Sequence, residues 1–400
     1  MEVIEGGSIL SPAGFRAGWS ACGIKLAKGA ADVALIVSDG PAAGAGVFTK
    51  NKFAAAPVQW NRSILPSDEI RAIIVNSGNA NACTGERGLD DARATVALAA
   101  ELVGCEPAQV CVASTGIIGH PLPMEELCQG VRDAFDRLAG DEGTARGAER
   151  AIMTTDTRPK ACAVRAEIEG KAFSIGGMAK GAGMIAPNMA TMLAFVTTDA
   201  HVPAGRLKEL VARGADRSFN CITVDGDSST NDSVFLLAGG ASGAVVPEGG
   251  QGREAFEEAL AFVMGELARA IVRDGEGATK LIEVSVIGAR TDEDAEVCAR
   301  AIAGSQLVKC AIHGGDPNWG RIVCAAGYSG AELRPDRARL DIGSVAVFRD
   351  GLPTGEDASA EVATSDVLIR MDLGIGTGEA TVWTCDLSKD YVEINAEYHT

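Results

Sequence analysis

The sequence lacks the short motifs that identify most nucleotide-binding, zinc-dependent and serine-dependent enzymes. It contains no GxxxxGK phosphate loop, no GxGxxG fingerprint after a strand, no HExxH and no GxSxG elbow. Its 4 histidines lie far apart and none of its 11 cysteines forms a CxxC pair, so no zinc site is expected. A catalytic nucleophile in this chain must therefore work without a histidine that is close to it in sequence.

Positive charge is also scarce. The 400 residues include 36 Lys and Arg against 54 Asp and Glu, which gives a formal net charge of -18. Nucleic acids and anionic membranes select basic surfaces, so neither is expected as a partner.

Long apolar runs and a basic N-terminal stretch are missing as well. The most apolar segment, 182–196, is interrupted by Pro187 and Asn188 and is shorter than the ~20 residues that a membrane-spanning helix needs. The first residues, MEVIEGGSIL, have no basic region of the kind that opens a secretory signal. The cysteines are odd in number and scattered through apolar runs, which indicates reduced thiols. We therefore expect a cytoplasmic protein without a membrane segment.

What the sequence does contain is an alternation of short apolar runs and amphipathic stretches. The runs 33–38 and 72–75 predict strands, and the apolar spacing in 90–103 predicts a helix with Asp90 as its N-cap and Gly104 as its C-cap. Strands predominate from residue 280 onward, after a glycine-rich turn. These patterns predict a mixed α/β protein with one domain over 1–279 and a smaller domain over 280–400.

The segment 180–200, KGAGMIAPNMATMLAFVTTDA, places Thr191 at the start of an apolar run. By residue pattern alone, Thr191 is an ordinary first residue of a buried strand. The segment nevertheless resembles the cleavage region of the ornithine acetyltransferase family, and blocks similar to that family's occur in its order along nearly the whole chain. The blocks are GFRAGWSACGIK (14–25), GVFTKNKFAAAPV (46–58), IVNSGNANACTG (74–85), ASTGIIG (113–119), MTTDT (153–157), GGMAKGAGMIAPNMATML (176–193), TVDGDSSTND (223–232), DGEGATK (274–280) and HGGDPNWGRI (313–322).

The resemblance implies that the chain cuts itself between Ala190 and Thr191, into an alpha chain of 1–190 and a beta chain of 191–400. Thr191 would then be the nucleophile. A threonine hydroxyl is a poor nucleophile unless a base is beside it. The cut frees the α-amine of Thr191, and an α-amine with a pKa of about 8 can accept the hydroxyl proton at neutral pH.

The resemblance also implies the remaining site residues. It assigns the oxyanion hole to Thr115 and Gly116, at the end of the predicted strand VCVASTG. The residues implied to bind substrate are Thr155, Lys180, Thr191, Glu276, Asn395 and Thr400. Thr154 is an alternative to Thr155, because the two neighbouring threonines of the MTTDT block leave the register open. Lys180 suits the carboxylate of an acetylated amino acid, and we infer that Glu276 suits an ornithine ammonium.

The implied activity is a ping-pong transfer of the acetyl group from N2-acetyl-L-ornithine to L-glutamate, through an acetyl ester on Thr191. No metal or organic cofactor is expected, but acetyl-CoA becomes a co-substrate if the enzyme is bifunctional. The implied fold is a four-layer αββα sandwich, related to self-cleaving aminopeptidases, with a smaller C-terminal α/β domain. Alpha and beta chains are expected to assemble as a heterotetramer.

Two alternatives to the transferase remain open. The chain could be an aminopeptidase of the related self-cleaving superfamily, or an uncleaved protein that binds acylated amino acids.

His313 and Asp316 in HGGDPNWGR favour a structural turn, because Asp in an Asp-Pro-Asn turn commonly bonds nearby backbone. The run 225–232 lacks the spacing and closing Glu of a calcium loop, and we interpret it as a polar loop near the active site.

Overall fold

The computed structural model describes residues 1–186 and 192–397, which form two compact units. The first unit comprises Met1–Asn220 and Asp227–Ile271, and the second comprises Cys221–Gly226 together with the chain from Val272 onward. Ala190, Thr191 and Thr400 lie outside the described residues.

Nine strands and six helices of the described chain lie wholly or mostly in the first unit. The strands are β1 (Glu2–Val3), β2 (Phe15–Ser20), β3 (Val33–Phe48), β4 (Ser67–Asn79), β5 (Val110–Ile117), β6 (Lys160–Ile168), β7 (Lys171–Lys180), β8 (Leu193–Thr198) and β9 (Ser233–Ala238). The helices are α1 (Ala56–Ile64), α2 (Gly85–Val103), α3 (Met124–Asp136), α4 (Glu142–Ala151), α5 (Ala204–Asp216) and α6 (Gln251–Arg273).

The described strands of this unit pair in the order β1-β6-β7-β8-β9-β3-β4-β5, with β2 also paired to β3. The long strand β3 joins two halves of the sheet: its first part pairs with β2 and β4, its register shifts after Val37, and its last part pairs with β9. The two halves stack face to face, because Ile36 and Ile73 share one core with Phe195 and Phe235. The rings of Phe195 and Phe235 stack with centroids 5.4 Å apart.

Helices cover both outer faces of this stack. Val112 of β5 packs with Val96 of α2 and Leu127 of α3, so these helices lie on the β3-β4-β5 half. On the other half, a Cβ atom at Gly177 of β7 would lie 2.9 Å from the side chain of Leu267 in α6. The order helix, sheet, sheet, helix confirms the predicted four-layer αββα sandwich.

The predicted boundary of one helix was wrong at its start and right at its end. Helix α2 begins at Gly85 rather than after Asp90, so Asp90 lies inside the helix, where its carboxylate pairs with Arg93 at 2.9 Å instead of capping the backbone. Gly104 follows the helix in the left-handed conformation, with φ +75°, and is the predicted C-cap.

The edge strand β5, which contains Thr115 and Gly116 just before its last residue, is covered by helix α1. The fully buried Asn61 of α1 accepts a hydrogen bond from Val112 N at 3.0 Å and donates one to Val112 O at 2.6 Å. Trp60 Nε1 donates to Val110 O at 2.9 Å. Side chains thus satisfy backbone groups that an edge strand would otherwise leave unpaired.

Replacing Asn61 by Leu is expected to lower the free energy of unfolding by about 2–4 kcal/mol, because both buried polar groups of Val112 lose their partner. Chemical denaturation of the two proteins measures the difference. Gln59→Ala, on an exposed position of the same helix, is the matched control and is expected to change stability by less than about 0.5 kcal/mol. Equal stability of the Asn61→Leu variant and the parent would contradict the proposed covering role of α1.

The second unit is a smaller α/β domain, as predicted. Its described strands are β10 (Leu281–Ala289), β11 (Arg339–Ile342), β12 (Val345–Arg349), β13 (Leu352–Pro353), β14 (Asp366–Asp372) and β15 (Gly378–Cys385). Its described helices are α7 (Asp292–Ala303), α8 (Gln306–His313), α9 (Trp319–Tyr328), α10 (Ser359–Val362) and α11 (Lys389–Glu397). The strands pair in the order β13-β12-β11-β14-β10-β15, and helices α7, α8 and α9 contribute apolar residues to the core beneath the sheet.

The second unit begins before residue 280, where the sequence places the domain boundary. Arg273 forms an ion pair with Asp366, and Thr223 N donates to Trp383 O at 2.9 Å. These bonds tie the end of α6 and the segment Cys221–Gly226 to the second sheet. Within residues 1–186 and 192–397, no helix combines the length and the apolar character that crossing a membrane requires.

Candidate active site

Two residues predicted from the sequence, Thr115 and Lys180, meet at the ends of their strands. Lys180 Nζ donates to Thr115 Oγ1 at 3.3 Å. Lys180 is 7% exposed, whereas Thr115 is partly exposed. The pairing of β7 with β8 places Lys180 opposite Leu193, two residues after Thr191 in the chain. The structure therefore brings the Lys180 ammonium and Thr115 together near the start of β8.

Gly116 occupies a position that only glycine can fill. Its φ is +133°, and a Cβ atom there would lie 2.3 Å from Gly78 C and 2.6 Å from Asn79 N. Both of these atoms belong to the backbone of β4, which cannot yield as a flexible side chain would. The close approach of β4 and β5 at this point explains why a glycine follows Thr115.

Asp156 ties the segment that carries Thr155 to the end of β7. Its buried carboxylate accepts hydrogen bonds from Lys160 Nζ at 2.6 Å, from Gly181 N at 2.6 Å and from Thr154 N at 2.9 Å. Burial alone would raise the pKa of this carboxyl, but the two lysines beside it, Lys180 and Lys160, and the Gly181 amide lower the pKa to about 2. Asp156 is therefore an anion at neutral pH.

The loop before β9 holds the first described residue of the β8 segment. Ser233 N donates to Met192 O at 3.0 Å, and Met192 is bonded to Thr191 in the chain. Asn231 Nδ2 donates to Ser114 O at 2.8 Å, so the same loop is also fixed to β5. The sequence predicts this loop near the active site, and the structure places it against β5 and Met192.

Asp232 is the buried carboxyl group of this loop. It is 2% exposed, and burial raises its pKa well above the ordinary value. Lys180 and hydrogen bonds from Ser229 and from the Met192 amide act in the opposite direction. The charge of Lys180 thus lowers the pKa of both carboxyl groups, Asp156 and Asp232, but burial is the stronger influence at Asp232.

In the second unit, the structure brings Glu276 and Asn395 together. Asn395 Nδ2 donates to Glu276 Oε2 at 2.8 Å and to Tyr391 O at 2.9 Å. Glu276 is partly exposed and Asn395 is exposed, so the carboxylate remains open to a ligand. The predicted contact at Thr400 lies outside the described residues.

The Asp-Pro-Asn turn has the structural role that the sequence favours. Asn318 Nδ2 donates to Asp316 Oδ2 at 3.0 Å, and the Asn318 side chain caps α9 by accepting from Arg321 N at 3.1 Å. His313, by contrast, bonds outside the turn: its Nδ1 lies 2.7 Å from Asp386 Oδ2. Sequence reasoning missed this pair because 73 residues separate its members.

The residues that sequence reasoning missed at the first unit's site are Asp156, Asn231 and Asp232. A weak signal was present, since Asp156 and Asp232 each stand next to conspicuous hydroxyl residues in the MTTDT and SSTND blocks. Nothing in the neighbouring sequence shows that the pKa values of both carboxyl groups are lowered by the same lysine, Lys180. In the part of the chain that the structure describes, no three His, Cys, Asp or Glu side chains cluster in a way that could hold a metal ion.

Comparison with known proteins places this architecture in a family. The model of the ArgJ family matches residues 16–400. The arginine biosynthesis bifunctional protein ArgJ of Symbiobacterium thermophilum is 51% identical over the whole of both chains, and a glutamate N-acetyltransferase of Methanocaldococcus jannaschii is 45% identical over the whole of both. The crystal structure of a Bacillus halodurans ArgJ chain has 45% identity and a TM-score of 0.51, and it covers 52% of this chain and 100% of its own. The chain belongs to the ArgJ family.

Proposed function

We propose that this protein is a self-cleaving acetyltransferase of arginine biosynthesis that moves the acetyl group from N2-acetyl-L-ornithine to L-glutamate. The names of its relatives, a bifunctional protein of arginine biosynthesis and a glutamate N-acetyltransferase, support this activity. The single observation that carries it is the meeting of Lys180 and Thr115 near the start of β8, which begins two residues after Thr191 in the chain. Membership of the ArgJ family favours the transferase over an aminopeptidase or a binding protein.

The chain is proposed to cut itself between Ala190 and Thr191. The size of the Bacillus halodurans chain supports two separate fragments, since it aligns along its whole length with only 52% of this chain. Residues 191–400 are a little over half of the present sequence.

The transfer itself then proceeds in two half-reactions. The Thr191 hydroxyl attacks the acetyl carbon, its proton passes to the Thr191 α-amine, and the carbon–nitrogen bond breaks as ornithine leaves with that proton. The α-amine of glutamate next attacks the acetyl-Thr191 ester, and N-acetylglutamate leaves while the hydroxyl regains its proton. Thr115 and Gly116 are proposed to donate hydrogen bonds to the oxyanion of both tetrahedral intermediates.

The proposed substrate contacts follow from charge. The Lys180 ammonium, whose charge also lowers the pKa of Asp156, suits the substrate carboxylate, and Thr155 precedes Asp156 on the same segment. The Glu276 carboxylate, oriented by Asn395, suits the side-chain ammonium of ornithine. Thr191 and Thr400 complete the proposed set.

Three further proposals concern co-substrate, assembly and location. Acetyl-CoA serves as a second acetyl donor if the enzyme is bifunctional, and no cofactor is proposed for the transfer between amino acids. Two alpha and two beta fragments are proposed to form a heterotetramer. The 11 free thiols of the structure support a reducing cytoplasmic location.

The proposed activity is tested by incubating the purified protein with N2-acetylornithine and glutamate and measuring N-acetylglutamate by mass spectrometry. Intact-mass analysis of the same sample is expected to give two fragments, the second with Thr191 at its N-terminus. A parallel assay with acetyl-CoA and glutamate, without acetylornithine, decides whether the enzyme is bifunctional. An active preparation that consists of one continuous polypeptide would overturn the proposed mechanism.

A further inference from the structure

Asp32 is a buried carboxylate to which the proposed acetyl transfer gives no role. It lies directly before β3 and is 0% exposed. Its carboxylate accepts hydrogen bonds from four successive backbone amides, those of Cys22 at 2.8 Å, Gly23 at 2.9 Å, Ile24 at 2.8 Å and Lys25 at 3.4 Å. Because hydrogen bonds to a carboxylate are strong and four amides share this one, Asp32 fixes the backbone of segment 22–25.

The side chain of Lys25 fastens the same segment to the end of α4. Its Nζ atom donates to Ala31 O at 2.5 Å and, at 3.4 Å each, to Arg150 O and Ala151 O. A cation is favourable there, because the last carbonyl groups of a helix carry partial negative charge. Segment 22–25 is therefore held through its backbone by Asp32 and through a side chain by α4.

This segment packs directly against Gly78 of β4. The φ of Gly78 is +100°, and a Cβ atom there would lie 3.0 Å from the backbone atoms Ile24 C, Ile24 O and Lys25 N. The neighbouring Ser77 N donates to Asp32 O at 2.8 Å. Asp32 thus bonds to β4 through its main chain and to segment 22–25 through its side chain, at the place where the two backbones touch.

Gly78 in turn lies against Gly116. The two glycines are opposite each other in the parallel pairing of β4 and β5, and a Cβ atom at Gly116 would lie 2.3 Å from Gly78 C. Three stretches of backbone therefore follow one another in direct contact, from segment 22–25 through β4 to β5. No side chain stands between them that could absorb a displacement, so a shift of the first is passed on to Gly116.

Oxyanion donors contribute most to catalysis when they are fixed before charge develops on the substrate oxygen. We propose that Asp32 is a positioning residue for the oxyanion hole, because it holds segment 22–25 against Gly78 and so fixes the backbone of Thr115 and Gly116. This role rests on the oxyanion hole proposed above. Asp32 acts through the backbone alone and exchanges no proton with the substrate.

The main test is Asp32→Asn, which keeps the shape of the side chain but replaces one accepting oxygen by an NH2 group. The rate of N-acetylglutamate formation is measured per amount of cut protein on a denaturing gel. We expect kcat to fall by about 10- to 100-fold, since a small misplacement of catalytic groups has an effect of this size. The KM for N2-acetylornithine is expected to stay within about 2-fold, because the change affects the transition state rather than substrate binding.

Asp199→Asn is the matched control. Asp199 is also buried, at 6% exposure, and its carboxylate also accepts from backbone amides, those of Ala13 at 3.1 Å and Ser174 at 2.8 Å. It directly follows the last residue of β8, whereas Thr115 and Lys180 meet near the start of that strand. Its replacement is expected to lower the thermal unfolding midpoint but to leave kcat unchanged, which separates positioning from a general loss of stability.

A double variant tests whether Asp32 acts through the oxyanion segment. Thr115→Val keeps the shape of Thr115 but removes its hydroxyl, and is expected to lower kcat by about 100-fold or more. If Asp32 positions this segment, adding Asp32→Asn to Thr115→Val costs at least about 3-fold less than it does in the parent, since the two residues then act as a unit. Independent effects would multiply in full.

Gly78→Ala perturbs the same contact from the side of β4 and leaves the Asp32 carboxylate in place. Its methyl group would press on the backbone of Ile24 and Lys25. Gly330→Ala is the control for backbone strain, because Gly330 has a φ of +90° and no atom lies within 4 Å of an added Cβ. We expect Gly78→Ala to lower kcat without raising KM, and Gly330→Ala to change neither.

Parental kcat in folded Asp32→Asn, or losses that multiply in full with Thr115→Val, would overturn the proposal. If Asp32→Asn gives no folded, cut enzyme, Gly78→Ala decides by the same two measurements, and failure of both to fold would show that the contact serves stability alone. An unchanged kcat in Thr115→Val refutes the oxyanion hole itself. Loss of activity in Thr115→Val together with normal activity in Asp32→Asn refutes only the positioning role.

Discussion

Replacing Thr191 by alanine is expected to leave one uncut polypeptide of 41.1 kDa and to abolish acetyl transfer. The change removes the hydroxyl that attacks in both self-cleavage and transfer, and without the cut no α-amine is formed to act as base. Loss of a catalytic nucleophile can lower kcat by about a million-fold, so transferase activity is expected to fall by at least about 10,000-fold. Denaturing gels and N-acetylglutamate formation provide the two measurements.

Thr191→Ser is the matched control for this change, because it keeps the hydroxyl and removes only a methyl group. It is expected to be cut at the same bond and to transfer acetyl groups at a reduced rate. Two fragments from the Thr191→Ala chain, or a covalent acetyl group found on another side chain of the parent, would contradict Thr191 as nucleophile.

Replacing Lys180 by methionine is expected to lower kcat/KM for N2-acetylornithine by about 100- to 1000-fold, because a buried substrate carboxylate then lacks its cation. Met has a similar length but no charge, and Asp156 retains Lys160 as a partner at 2.6 Å. The decisive measurement uses a donor without the carboxylate, N-acetyl-1,4-diaminobutane. The parent is expected to use it poorly, and the variant is expected to lose little further activity on it.

Lys171→Met is the control for the loss of a lysine from the same strand. Lys171 begins β7 on an exposed surface, where its Nζ donates to Gly243 O at 3.0 Å. Its replacement is expected to leave kcat/KM unchanged. An equal loss of activity on both donors in the Lys180→Met variant would show that Lys180 does not recognise the carboxylate.

Local patterns in the sequence predicted those features that depend on neighbouring residues. Gly104 ends α2 because a residue without a side chain accepts the left-handed conformation there. The apolar runs within β3 and β4 identified both strands, although the structure extends each of them beyond the run. The prediction of Asp90 as N-cap was wrong because Asp90 lies inside α2, where its carboxylate pairs with Arg93.

The pairs that build the site were not predictable in this way. Asp156 bonds to Gly181, 25 residues away, and Asn231 bonds to Ser114, 117 residues away. Such contacts depend on how the two halves of the first sheet stack, and β3, whose register shifts after Val37, joins those halves. Local motifs therefore identify the threonine- and glycine-containing blocks, but they do not identify the carboxyl groups on which the charge of Lys180 acts.

The sequence by itself determined the family, through blocks in a characteristic order, and with it the expected nucleophile, the oxyanion segment and the αββα architecture. Only the tertiary structure decided that the pKa of Asp156 is lowered while that of the buried Asp232 is raised, that the charge of Lys180 acts on both, and that Asp232 accepts a hydrogen bond from the Met192 amide. The physical reason is that residue identity is a property of the chain, whereas the protonation of a carboxyl group depends on burial and on charges brought near it by folding.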